Sequence, residues 1–177
     1  MTNYIWLFPL LFIFHDLEEI IGLIPWTTAH QELLKEKAPL FLKLHQNLSI
    51  EGFAFAVLEE FIVVSVVSLL AVTTSLRFFS LLWLGGVIAY TVHLLFHILQ
   101  SLSLKSYIPS LITSIICFPI SVWLIRKCTI LLQATPIELV VYSILGLLIV
   151  VVNLFFALRL GKIFSVWLSR KIGRASC

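Results

Sequence analysis

Within an otherwise apolar run, the segment FHDLEEIIG (Phe14–Gly22) places His15, Asp16, Glu18 and Glu19 inside five residues. Two later apolar runs repeat the anomaly. AVLEEFIVV carries Glu59 and Glu60, with Glu51 two helical turns earlier, and HLLFH carries His93 and His97. Imidazoles and carboxylates are the side chains that ligate divalent transition metals and move protons. Wrapped on a helix, His15, Glu18 and Glu19 fall within an arc of roughly 100°. Gly86, Tyr90, His93, His97 and Gln100 line one stripe, because positions i and i+4 stack. The inventory suits a mononuclear His/Glu zinc site or a carboxylate-bridged pair of irons, and its carboxylate richness favours iron. His15, Glu19, Glu59, His93 and His97 are the expected metal ligands. Glu18 and Glu60 are the expected catalytic carboxylates, bridging a metal pair or relaying protons. With iron the chemistry would be oxygen activation; with zinc it would be attack by a bound water, a spare glutamate acting as general base.

These side chains have to be positioned by membrane helices. The chain has 177 residues, of which 60% are hydrophobic and 12% charged, and its mean hydropathy is +1.09. That lies far outside the range of a soluble domain. A span needs about 20 mostly apolar residues, and five stretches qualify: near 4–24, 50–72, 78–100, 107–126 and 137–160. The expected fold is an all-α integral membrane bundle of about five transmembrane helices, a single domain over 1–177 with no room for a soluble one. The first span has no basic n-region and no small-residue cleavage pattern, and is expected to be retained. Cys117, Cys128 and Cys177 show no paired spacing, which argues against a thiolate site or disulfide framework. The connection PWTTAHQELLKEKAPLFLKLHQN reads as an amphipathic interfacial helix broken at Pro39, with His30 and His45 at headgroup level.

Of the 12 basic residues, Lys35, Lys37, Lys43, Lys105, Arg159, Lys162, Arg170, Lys171 and Arg174 share one side of a five-span chain, and Arg77, Arg126 and Lys127 lie on the other. This bias places the N-terminus outside and the C-terminus in the cytoplasm of a cell membrane. The basic tail is then a membrane-surface anchor and not a nucleic-acid site. In that orientation His15–Glu19 lie roughly 8–14 Å from the cytoplasmic end of their span, Glu59 and Glu60 roughly 14 Å, His93 and Asn153 about 10 Å and His97 about 5 Å. The costly residues therefore share a level, which supports their meeting. Tyr107, Ser110, Ser114, Cys117 and Ser121 form a small-residue face of the fourth span, and Ser143, Gly146, Asn153 and Ala157 one of the fifth, as helix packing in lipid requires.

HDLEE, a buried Glu pair in the next span and HLLFH in the third resemble the HXXEE-domain family of small bacterial integral membrane proteins. The resemblance covers most of the chain. It implies an enzyme without an assigned reaction, in which His15, Glu18 and Glu19 carry the motif and the other buried histidines and glutamates are their partners. Glutamate-type intramembrane proteases share a Glu pair and later histidines, but EEFIVV lacks the arginine that follows theirs. Membrane hydroxylases and desaturases need more histidines than the five present. The sequence thus points to a membrane metalloenzyme acting on a lipid or other hydrophobic substrate. A metal-independent glutamate/histidine intramembrane hydrolase and a proton or metal carrier are the alternatives. Haem is disfavoured because His93 and His97 share one helix face. A reporter fused after Cys177 is expected to be active in the cytoplasm and one inserted near Arg77 inactive; the reverse labelling would remove the orientation and the shared depth together.

Overall fold

The computed structural model describes residues 2–173; Arg174 and Cys177, counted above among the basic residues and cysteines, lie outside the described residues. The described chain is helical without strands: α1 (Thr2–Ile5), α2 (Leu7–Ala29), α3 (Gln31–Lys37), α4 (Pro39–His45), α5 (Ile50–Thr73), α6 (Arg77–Leu104), α7 (Leu111–Leu132) and α8 (Pro136–Ile172). The boundaries follow local chemistry. Ser49 caps α5, its Oγ accepting from the Gly52 amide at 3.1 Å, and Thr135 with Glu138 forms a reciprocal capping box on α8. The break between α3 and α4 falls at Ala38 (φ −146°, ψ 56°), because the ring of Pro39 forces the preceding residue out of the helical region.

Two expected boundaries are corrected. Tyr107 and Ser110 do not belong to the fourth helix, which starts at Leu111 just beyond Pro109 and runs on to Leu132. The last helix extends past residue 160 to Ile172 and has 37 residues. At a rise of 1.5 Å per residue it is about 55 Å long, well beyond a hydrocarbon core of about 30 Å. Among the described residues, α5, α6, α7 and α8 are long and apolar enough to cross a membrane. By that measure α2 is not, since Asp16, Glu18 and Glu19 fall within any stretch of it long enough to cross.

Four helices close a ring: α2 packs on α5 and α7, and α6 packs on α5 and α7 from the other side, while α8 lies in the groove between α5 and α6. Across the ring, Phe8 meets Trp83, Phe12 meets Tyr90 and His15 meets His97, so α2 and α6 run parallel. One apolar layer holds Phe8, Trp83, Leu84, Val87, Leu124 and Cys128. A second gathers Leu23, Leu48, Phe53, Val57 and Leu158 at the end where α2 finishes and α5 starts, and Trp26, Leu34 and Ile108 extend it beneath the α6–α7 loop. The expected small face of the fourth helix is in place, with Ser114, Cys117 and Ser121 fully buried. Arg77 locks the opposite end. It donates to both carboxylate oxygens of Glu138 at 2.9 and 2.8 Å and to the Leu132 carbonyl at 2.7 Å.

The seat of α8 depends on two glycine pairs. A Cβ on Gly146 would run into the Gly85 carbonyl, and one on Gly161 into the Gly52 carbonyl, the close approach through which helices associate in lipid. Backbone cannot yield as a flexible side chain does. Gly85→Leu and Gly161→Leu should therefore each lower the thermal stability of detergent-purified protein, by about 1–3 kcal/mol or more from overpacking. Val152→Leu, on the exposed face of α8, should leave the melting temperature unchanged.

Candidate metal centre

Halfway along α2, His15 and Glu19 stand one turn apart and face His93 and His97, one turn apart on α6. His97 Nε2 lies 2.9 Å from Glu19 Oε1 and 2.9 Å from His93 Nε2. His15 Nε2 lies 3.8 Å from Glu19 Oε1. The rings of His93 and His97 are each centred 5.4 Å from that of His15. One ligand atom from each of the four residues falls within 4.8 Å of the others. Donors held about 2.0–2.2 Å from one ion stand about 3–4.4 Å apart, so the four already sit near that spacing. His15, Glu19 and His97 are buried and His93 is half-buried.

The group also fits a cation by what it lacks. His15 Nε2 and Glu19 Oε1 are buried without a hydrogen-bond partner. The 2.9 Å approach of His97 Nε2 to Glu19 Oε1 lies outside hydrogen-bonding geometry. A single hydrogen on His97 Nε2 cannot serve both Glu19 and His93, and buried polar atoms left unpaired are costly. A divalent ion at the centre would take all four lone pairs at once.

His15 is oriented from outside the group. Thr113 Oγ1 donates to Glu18 Oε2 at 2.6 Å and stands 3.0 Å from His15 Nδ1. Because the hydroxyl hydrogen goes to the carboxylate, the remaining lone pair accepts from Nδ1–H. The tautomer is thereby set with Nε2 bare toward Glu19, as an outer partner fixes a metal-binding imidazole. Glu18 is itself tied down: it accepts from the Thr113 amide at 2.8 Å and from the Tyr107 hydroxyl at 2.6 Å. Thr113 lies in the first turn of α7, where amides have no partner within the helix and the helix dipole favours an anion. Tyr107 sits in the loop before α7; partial burial and the bond to Glu18 push its hydroxyl up to about 12, so it stays a donor. Ser110 in the same loop holds φ at 121°, a left-handed strain of about 1–3 kcal/mol that the loop absorbs beside Glu18.

The remaining expected residues separate. Glu60 neighbours Glu19 and the buried Asp16, close enough for their charges to interact, and Asp16 Oδ2 has no hydrogen-bond partner. Glu59 turns to α8 and accepts from Asn153 Nδ2 at 3.1 Å; it is not in the converging group. Tyr90 donates to the Leu11 carbonyl at 2.8 Å and packs its ring near His15. His30 and His45 bond to the Trp26 and Phe41 carbonyls of their own turns. Sequence reasoning missed Thr113, which carries no signal beyond a hydroxyl in an apolar run. It also passed over Asp16, visible in the motif but about 100° around the helix from His15.

A ring of apolar helices that closes a His/Glu face of α2 on a two-histidine face of α6 is the architecture of a helical membrane protein with a polar core. The chain belongs to the HXXEE family: residues 6–124 match the family described as "Protein of unknown function with HXXEE motif". The match takes in the ring from α2 through α6 and most of α7 and stops before α8. No curated protein and no solved structure matches the chain.

Thr113→Val should release His15 from a single tautomer, seen as a shift of its ring-nitrogen signals toward a mixture in ¹⁵N NMR of histidine-labelled protein. Unchanged His15 signals would show that Thr113 does not orient the ring.

Proposed function

We propose that the chain is an intramembrane metalloenzyme whose metal is held by His15, Glu19, His93 and His97. The observation that carries this reading is the convergence of four ligand atoms within 4.8 Å, two of them buried and otherwise unpartnered. A bound divalent ion supplies Lewis acidity and, if it is iron, redox capacity. The carboxylate-rich surroundings, with Asp16 and Glu60 beside Glu19, favour iron over zinc. In this reading Glu18 acts on the site through Thr113 by positioning His15, while Glu60 faces the site as the group to take or give a proton. Glu59, paired with Asn153, serves the α5–α8 contact.

The same reading treats residues 1–177 as one transmembrane domain with α2 as a fifth span. Its carboxylates are tolerated because they face the ring interior and not lipid. The N-terminus is then outside and the C-terminus cytoplasmic, with α3 and α4 on the cytoplasmic membrane surface. The substrate is a lipid or another hydrophobic molecule, since the site sits among membrane-length helices. One observation favours a second reading. Glu19 and His97 at 2.9 Å also form a carboxylate–imidazole pair suited to metal-independent acid–base hydrolysis.

Protein purified without chelator should carry about one equivalent of transition metal, as a single four-ligand site requires. Chelation should lower its melting temperature, because metal binding energy is folding energy for helices joined by the site. His93→Ala should remove most of the metal and His30→Ala none. Metal-free protein with stability and turnover indifferent to chelator would transfer the assignment to the Glu19–His97 acid–base pair.

A further inference from the structure

Beyond the polar centre, toward the end where α2 finishes, a cavity of about 780 Å³ opens between α2, α4, the start of α5 and the end of α8. Its size is that of sites for ligands of a few hundred daltons, about 300–1,000 Å³. Its lining mixes apolar side chains, Ile24, Leu42 and Val166, with hydroxyls and amides from Thr27, Asn47 and Ser169. Among the described residues no lysine or arginine lines it, and one carboxylate, Glu51, does.

The cavity depends on the C-terminal end of the long helix α8. Residues 165–172 form its far wall, and three contacts hold that end in place. Ser165 Oγ accepts from the Ser49 amide at 3.1 Å and meets Ser49 Oγ at 3.1 Å, Gly161 abuts Gly52, and Lys162 reaches the Lys43 carbonyl at 3.5 Å. The layer around Leu23 and Phe53 separates the cavity from the candidate metal centre by a short distance. Ile24 on its wall is five residues beyond Glu19, about 7–8 Å along α2. His45, on the opposite wall and held below its usual range by burial, feels the charges of Glu19 and His97.

We propose that this cavity is a lipid-binding site, and that it takes a single-chain amphiphile with an uncharged, hydroxyl- or amide-bearing head. Hydroxyls and amides satisfy such a head by hydrogen bonding, whereas a phosphate head would need the cationic side chains that the wall lacks. The apolar side chains of its lining, Ile24, Leu42 and Val166, receive the chain within the cavity itself. The inference stands on the cavity's geometry and not on the metalloenzyme reading.

The test is native mass spectrometry of the full-length, detergent-purified protein with 1-monooleoylglycerol and, separately, 1-oleoyl-lysophosphatidate, with metal content measured on the same samples. Monooleoylglycerol should be retained about tenfold more tightly than lysophosphatidate, and Ser169→Trp, which fills the cavity, should cost about tenfold in its retention while leaving the metal content unchanged. If Ser169→Trp does not fold, Thr28→Trp fills the cavity from α2 and carries the same expectation. Preference for lysophosphatidate, or retention indifferent to a folded filling variant, overturns the proposal. Metal-free protein that still retains monooleoylglycerol through the cavity would defeat the metal reading and leave this one standing. Metal-loaded protein that ignores the lipid would do the reverse.

Discussion

The structure turns on the cost of holding imidazoles and carboxylates where no water reaches them. Each polar group placed among hydrocarbon costs several kcal/mol unless another group satisfies it. His15 and Glu19 on α2 and His93 and His97 on α6 face one another across the ring, with His15 Nε2 and Glu19 Oε1 left without a hydrogen-bond partner. Their convergence requires α2 and α6 to run parallel and in register. The aromatic contacts Phe8–Trp83 and Phe12–Tyr90 set that register on one side, and the layer around Leu23 and Phe53 seals the other. The polar centre is a thin slab between two dry layers, which strengthens every electrostatic interaction inside it.

Two adjacent glutamates divide the labour because helical geometry separates neighbours by about 100°. Glu19, one turn from His15, enters the centre. Glu18 turns toward α7 and there finds an amide, a threonine hydroxyl and a tyrosine hydroxyl. The start of a helix is a ready site for an anion, so Glu18 is held there by three donors and reaches His15 through Thr113. It thereby joins the α2 motif to α7, a helix that contributes nothing to the converging group.

The eighth helix sets the shape of the remainder. Its glycine crossings with α5 and α6 bring backbones together, and its last turns build one wall of the cavity at the end where α2 finishes. The family match ends within α7, so α8, which packs on α5 and α6, lies beyond it.

Sequence alone determined the helical, membrane-type composition and the HXXEE membership, because hydropathy and a short motif are local properties. It also singled out His15, Glu19, His93 and His97, since i, i+4 spacing is enough to put each pair on one helix face. What it could not supply was the choice among equivalent neighbours. Glu59 and Glu60 are alike in sequence, yet only packing turned Glu59 to Asn153 and Glu60 toward Asp16 and Glu19. Thr113 became a partner of His15 only because α7 docks its first turn against α2, 98 residues away along the chain. Likewise Tyr107 and Ser110 left the expected helix because Pro109 delays its start, which freed Tyr107 to reach Glu18. A side chain's face follows from the helical repeat, but its partner depends on which helix arrives opposite, and that is decided by the joint packing of the ring.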